Sequence, residues 1–388
     1  MSPVSLSSIS ITILGSASAQ PSSTRNHSSL ALHLNGDVWL FDCGEATQHR
    51  IQKSNVKMGK IQKIFITHTH GDHIFGLIPL LASRLNGAGG MVNNADDTRL
   101  RSDAIQDSIP PLEIYGPLGT RAYIRTGLTY TYTNLGAPYI VHELHFPSDT
   151  PSEGYTSLPP HPAELPTGRN IPQVDGTWPE IFRDSIVSLS AAPILHSVPC
   201  VGYVLNELPV PGKMDPKEYI PHLKRTGAPM SVMSRLQQGE STVLSDGTIL
   251  RGPPHRPGRK IVILGDTYDP SPIADLAFDA DLLIHEATNA HLPGIDPNTK
   301  TEDTHESVRK RAMSRGHSTP QMAGLFAKRI RAKRLLLNHF SPRYAGNDDV
   351  DENAKKIMEG VSALAADEFG GPVICARDLM NLDVEARR

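Results

Sequence analysis

Apolar positions along the 388-residue chain fall into short runs of strand length, most of them ending at polar or imidazole residues. ISITILG (9–15) reads as a strand. SLALHL and DVWLF flank Asn35-Gly36, and Asn-Gly between apolar runs is a strong hairpin signal. ATQHRIQKSNVKMGKI predicts a short helix and turn before the strand KIFIT, while HIFGLIPLLASRL (73–85) has the length and spacing of a helix. PLEIYGP, IVHELHF, SIVSLSAAPI (185–194), VGYVLNELP, KIVILGDT (260–267), DLLIHEAT (281–288) and RLLLNHF supply further strands, with a helix around 320–332. Strand runs alternating with helical segments describe a layered α/β core whose site lies at the strand ends.

Between these runs, residues 86–110 and 147–180 are rich in Gly, Pro, Asn and Asp and read as surface insertions. Residues 209–239 carry Pro and Gly around short helical pieces of mixed charge, which suggests a projection within about 205–250 on a single large domain.

Composition narrows the classes. Cys43, Cys200 and Cys375 are few, distant and odd in number, so neither a disulfide framework nor a cysteine zinc finger is indicated. A formal net charge of −3 argues against nucleic-acid binding by the overall field but permits a local basic patch. The opening MSPVSLSSISITILG has no basic segment before its short, Ser-rich apolar stretch. The expectation is an intracellular protein, cytoplasmic or nuclear, with mitochondrial use left open and no membrane contact.

The chemistry concentrates in Thr67-His-Thr-His-Gly-Asp-His73, immediately after KIFI. Zinc takes imidazole nitrogen and carboxylate oxygen, and strand or helix packing does not require four such groups in seven residues. His196, Asp266 and His339 each follow an apolar run in the same way. The economical arrangement puts His68, His70 and His196 on one ion and Asp72, His73 and His339 on a second, with Asp266 bridging. This implies two Zn2+ per chain. Structural zinc sites are usually closed by thiolates, whereas a His- and Asp-rich set can keep a water, so hydrolysis is the better reading.

THTHGDH resembles the signature of the metallo-β-lactamase superfamily, which implies an αβ/βα four-layer sandwich with metals at the sheet edge. GSASAQPSSTRNHSS (15–29), FDCGEATQHR (41–50), LEIYGPLG, HSVPCVGYVL, GRKIVILGDT, DLLIHEAT, GHSTP and NHFSPRY follow in the order of the short form of tRNase Z. That resemblance implies a zinc-dependent endoribonuclease that removes the 3′ trailer from precursor tRNA by metal-hydroxide attack, leaving a 3′-hydroxyl. It also implies a homodimer with a tRNA-binding arm. Asp72 would orient the water, His317 would protonate the leaving oxygen, and Glu286 would hold the other His317 nitrogen. His285, next to Glu286, should point the opposite way on a strand.

Lys213, Lys217, Lys224 and Arg225 in the projection are candidates for RNA phosphates, as is a second cluster at 328–334. Arg343 can contact the acceptor end or serve the structure. GAPMSVMSRLQQG (227–239) lacks the Pro-rich character expected of the arm. Two rival functions remain: a two-metal hydrolase of a small phosphodiester or ester, and a noncatalytic RNA-binding adaptor.

Overall fold

The computed structural model describes residues 6, 8–86, 110–149, 156–209, 212, 214–346 and 348–387. Most of the proposed 86–110 insertion and residues 150–155 of the second therefore lie outside the described residues, as does Lys213. The first strands are β1 (Ile9–Gly15), β2 (Ser29–Leu34), β3 (Asp37–Phe41), β4 (Ile61–Phe65), β5 (Leu112–Pro117), β6 (Tyr139–His145) and β7 (Asn170–Pro172). With the late strand Asn381–Val384 they form a sheet in the order late strand, β1, β2, β3, β4, β5, β6, β7. Its first four strands pair antiparallel, and β3 to β7 run parallel. Asn35 and Gly36 both have positive φ, as the two-residue hairpin between β2 and β3 requires.

The second sheet is built from β8 (Trp178–Arg183), β9 (Val187–Ile194) and β10 (Cys200–Glu207), and later strands complete it. After a small hairpin of β11 (Ser241–Val243) and β12 (Ile249–Arg251) come β13 (Lys260–Ile263), β14 (Leu282–Glu286), β15 (Leu335–Asn338), β16 (Val373–Cys375) and β17, the late strand (Asn381–Val384). The sheet order is β16-β15-β14-β13-β10-β9-β8, parallel from β16 to β13 and antiparallel beyond.

Inner faces of the two sheets meet in an aromatic-rich core. Phe65 stacks on Phe41 at 4.9 Å and on Tyr115 at 5.0 Å, and Tyr203 from the opposite sheet donates its hydroxyl to the Ile66 carbonyl at 2.7 Å. Outside the first sheet, Ile64, Ile66 and Ile114 pack under helices 77–85 and 120–130 through Leu77, Leu81, Ile124 and Leu128. Phe326, Ala327, Val361 and Ala365 of helices 320–329 and 352–369 belong to the apolar cluster of the second sheet. The result is the helix, sheet, sheet, helix layering that the sequence resemblance implies, and it is consistent with the layered α/β core of the apolar pattern. Among the described residues no helix is long and apolar enough to cross a membrane.

Two local readings change, and a third gains detail. The segment 73–85 is two helices, Gly71–Ile74 and Leu77–Leu85, because Gly76 lies against the β3–α loop: a Cβ there would sit 2.0 Å from the Gly44 carbonyl oxygen. Part of 147–180 is not a surface insertion, since β7 extends the first sheet and β8 edges the second, anchored by the fully buried indole of Trp178. Residues 214–250 form helices Pro216–Thr226 and Val232–Gln237 plus the β11–β12 hairpin, closed around a separate cluster of Tyr219, Leu223, Val232, Leu236, Leu244 and Leu250.

Arg259 and Glu207 tie the sheets together, paired in two hydrogen bonds of 2.7 and 2.8 Å and both almost fully buried. Arg259 also donates to the carbonyls of Val384 on β17 and Leu6 near the chain start. Replacing only this cation leaves buried Glu207 with Arg256, at 3.6 Å, as its remaining cation, so Arg259→Met should cost about 3 kcal/mol, the lower end for breaking a buried pair. The double variant Arg259→Met/Glu207→Gln should cost less than the single one. Denaturant unfolding of both variants checks this, and equal stability of the single variant and wild type would contradict it.

Candidate metal and hydrolytic site

Five chain segments bring their chemistry to one edge of the sandwich. β13, β14 and β15 are parallel, so Asp266, Glu286 and His339 leave their strands on the same edge. β9 has the same direction, being antiparallel to β10, which is antiparallel to β13, and it ends two residues before His196. β4 in the facing sheet delivers Thr67 to His73. His339 and Asp42 take positive φ (59° each), a conformation costing about 1–3 kcal/mol in residues that carry a Cβ. Both turn sharply out of a strand at the site.

The side chains form two adjoining groups. His70 Nδ1 lies 3.1 Å from His68 Nε2 and 3.2 Å from His196 Nε2. In the second, His73 Nε2 lies 3.1 Å from His339 Nε2, with Asp72 Oδ2 at 3.5 and 3.3 Å from those nitrogens. Asp266 Oδ1 is 3.3 Å from each of the same two nitrogens, while its Oδ2 faces the first group, 3.8 Å from His68 Nε2. Metal–ligand bonds of about 2.0–2.2 Å in a tetrahedron imply ligand–ligand edges near 3.3–3.6 Å. The seven donors thus have the chemistry and spacing to hold zinc, and all seven residues from the sequence stand at this edge.

Their ring orientations are set from behind. His73 donates from Nδ1 to Asp42 at 2.6 Å, and Asp42 in turn accepts from the Thr67 amide and hydroxyl. His196 donates from Nδ1 to the Gly316 carbonyl at 2.7 Å, freeing Nε2 for the group. Gly316 must lack a side chain: φ is +85° and a Cβ would meet His196 Nδ1 at 2.4 Å. Asp72 Oδ2 accepts from the Ala19 amide. Asp42 was not among the expected site residues, although it follows the apolar run VWLF just as the ligands follow theirs.

Electrostatics tie the groups together. Burial opposes the charge on Asp266, but His339 and His73 hold its carboxyl well below the usual carboxylate range. Burial, reinforced by the charge of His73, pushes the His68 imidazolium well below its ordinary range.

His317 lies beside this arrangement, donating from Nδ1 to Glu286 Oε1 at 3.1 Å, with Asp266 Oδ2 at 3.7 Å. Glu286 is buried and held by the Thr267 amide and the Thr288 hydroxyl. Burial lowers the proton affinity of His317, but Glu286, then Asp266 and Asp72, raise its pKa to about 9. His285 points the other way into the core beside Phe326 and donates to the Glu286 carbonyl.

The basic residues are differently placed. Lys217 and Lys224 are exposed on helix 216–226, while Arg225 on the same helix pairs with Asp246 at 2.6 Å. Arg343 donates to the Ala290 carbonyl at 2.7 Å and faces Asp296 at 3.4 Å, so much of its guanidinium is engaged internally. In the 328–334 cluster, Lys333 bonds Asp281, Arg329 bonds Ser271, Arg334 bonds the Asp383 carbonyl and Arg331 covers the Phe278 ring.

Comparison with known proteins gives a consistent picture. A family model described as Anti-Pycsar protein Apyc1 matches residues 9–86. The chain is 38% identical to the Bos taurus "Zinc phosphodiesterase ELAC protein 1", covering 98% of this chain and 100% of that one. Identity to the Bacillus subtilis "Ribonuclease Z" is 33%, over 92% and 96% of the two chains. Among solved structures, human tRNase Z, short form (ELAC1), superposes with a TM-score of 0.59 at 30% identity, over 97% of this chain and 99% of that one.

Because Asp42 fixes the ring of His73 through its second nitrogen, Asp42→Ala should weaken zinc retention about 10- to 100-fold. Competition with a chromophoric chelator reads this directly. Unchanged affinity would reduce Asp42 to a strand-end turn residue.

Proposed function

We propose that this chain, which belongs to the short-form ribonuclease Z family and carries the metallo-β-lactamase fold, is a zinc-dependent endoribonuclease that removes the 3′ trailer from precursor tRNA. The observation that carries this reading is the pair of adjoining donor groups sharing Asp266, with a carboxylate-held imidazole at their rim. His68, His70 and His196 would hold one zinc, Asp72, His73 and His339 the other, and Asp266 both. Zinc, when bound, supplies Lewis acidity toward a phosphoryl oxygen and brings the pKa of coordinated water toward neutrality.

The protein's own groups do the remaining work. With one Asp72 oxygen engaged by the Ala19 amide, the other accepts a hydrogen bond from the attacking water and aims it at phosphorus. The bond to O3′ of the tRNA body breaks, and the 5′-phosphate leaves with the trailer. His317, held through Nδ1 by Glu286, delivers a proton from Nε2 to that O3′ and yields the 3′-hydroxyl. Thr267 and Thr288 keep Glu286 in place, and against the cost of burial the facing His317 holds its carboxyl below the usual range, so the imidazole is oriented before substrate arrives.

Selection of tRNA requires contacts away from the scissile bond. In this reading the segment 214–250 is the arm, and Lys217 and Lys224 meet tRNA phosphates there. The working unit is a homodimer acting on precursor tRNA in the cytoplasm or nucleus. The small-substrate rival lacks a comparable supporting feature, since helices 216–226 and 232–237 close a core of their own.

Cleavage of a precursor tRNA with a 3′ trailer, with both product ends mapped, tests the reaction; a product bearing a 3′-phosphate or a cyclic phosphate would overturn it. Elemental analysis of zinc-saturated protein should give two ions per chain, and one or none would contradict the two-metal assignment. His317→Ala should slow single-turnover cleavage about 10²- to 10⁴-fold with both ions retained. An unchanged rate would remove His317 from the mechanism, and lost metal would make it a support for the ligands.

A further inference from the structure

Beside the site, on the side of β14 and β15, lies a second concavity of about 340 Å³. Asn289, Lys300, Arg311, Arg315, Ser341 and Arg343 line it. Its walls are the continuations of the segments that build the site: Asn289 follows Glu286 by three residues, Arg315 precedes His317 by two, and Ser341 follows His339 by two. The Ser341 amide donates to the Thr288 carbonyl at 3.0 Å, and Thr288 also holds Glu286, so pocket and site share one backbone frame.

Charge in the pocket is unevenly spent. Arg311 is paired with Asp303 at 2.8 Å, and Arg343 faces Asp296. No side-chain hydrogen bond or ion pair to another described residue is found for Lys300, Arg315, Asn289 or Ser341. Lys300 and Arg315, an amide and a hydroxyl thus face a small polar cavity that Asp303 also lines, bonded to Arg311 and within reach of the Lys300 charge. An RNA phosphate offers nonbridging oxygens that accept from all four kinds of donor, and Arg is suited to grip them in pairs. Because both cations are exposed, a neutral sugar or an apolar ligand would leave them to water, whereas an anion gains from both.

We propose that this cavity is a phosphate subsite that seats an RNA backbone phosphate neighbouring the scissile one, with Lys300 and Arg315 as its principal donors. The proposal rests on the reading of the adjoining site as one that cleaves RNA. Seating a second phosphate there fixes the direction of the strand across the donor groups, so that O3′ of the scissile nucleotide lies toward His317. Arm contacts cannot supply this alignment, because they grip the tRNA elsewhere.

The double variant Lys300→Gln/Arg315→Gln tests it in the zinc-loaded enzyme. KM for precursor tRNA should rise about 10-fold or more, from the loss of two charge-assisted contacts. The salt dependence of binding should flatten by about one to two units of log–log slope, and kcat should fall as the alignment is lost. Lys310→Gln, on the helix His305–Ser314 between the two and paired outward with Glu306, should behave as wild type. A fall in kcat at unchanged KM, or no change in either, would overturn the subsite.

A second measurement separates this from failure of the tRNA reading. A short 5′-phosphorylated RNA oligonucleotide should competitively inhibit hydrolysis of bis(p-nitrophenyl) phosphate, and the double variant should weaken that inhibition about 10-fold. If precursor tRNA were not cleaved but this inhibition remained dependent on Lys300 and Arg315, the tRNA assignment would fail and the subsite would stand. Equal inhibition of both proteins, or of neither, would remove the subsite whatever the substrate.

Discussion

Two imidazole Nε2 atoms 3.1 Å apart, with a carboxylate oxygen 3.3 Å from each, are the constraint on which this structure turns. Unprotonated ring nitrogens repel at that distance unless a proton or a cation lies between them. Burying several such groups together would be costly without compensation. Asp266, His73 and His339 are all nearly excluded from solvent, so water cannot screen them. A divalent cation answers the whole set at once, and Asp266, with an oxygen toward each group, is the residue that makes two groups into one site.

The rest of the fold can be understood as what holds those atoms at that spacing. Parallel strands β13, β14 and β15 repeat at a fixed interval and place successive strand ends side by side, while β4 reaches the same edge from the facing sheet. Packing of Phe65 against Phe41 and Tyr115, and the Tyr203 to Ile66 hydrogen bond, fixes one sheet against the other. Strain at Asp42 and His339 is tolerable because both flanking strands are anchored in this core. Further out, hydrogen bonds from His73 to Asp42 and from His196 to Gly316 choose which ring nitrogen is available.

Much of this was legible in the chain, for identifiable reasons. THTHGDH is locally too dense in donors for packing to explain, and His196, Asp266 and His339 share the context of an apolar run that ends. Asp42 has the same context, yet it occurs alone, and a single Asp after a strand is also an ordinary turn residue. Edge strands β7 and β8 were obscured by the Gly- and Pro-rich residues around them, and their anchor, Trp178, acts through long-range burial that periodicity does not report. Helix His305–Ser314 went unread because it is polar nearly all round, burying only Val308 and Ala312. Residues 352–369 do show helical spacing, with Ile357, Val361 and Ala365 inward, but nothing in that segment signals chemistry.

Charge placement decides how such a chain meets RNA. With a formal net charge of −3 the protein has no general attraction for a polyanion, so affinity must come from cations that are local and uncommitted. Counting basic residues along the sequence overstates these. The cluster at 328–334 looks like a phosphate-binding run, but Arg329, Lys333 and Arg334 are engaged by the protein and Arg331 lies on an aromatic ring. Arg225 and Arg343 are partly spent in the same way. Lys217 and Lys224 on their helix, and Lys300 and Arg315 beside the donor groups, have no such ion pair among the described residues. One pair is set on a unit with its own core and the other lines a cavity beside the reacting groups. A polyanion held at both is constrained in position and in direction, which a uniformly basic surface would not achieve.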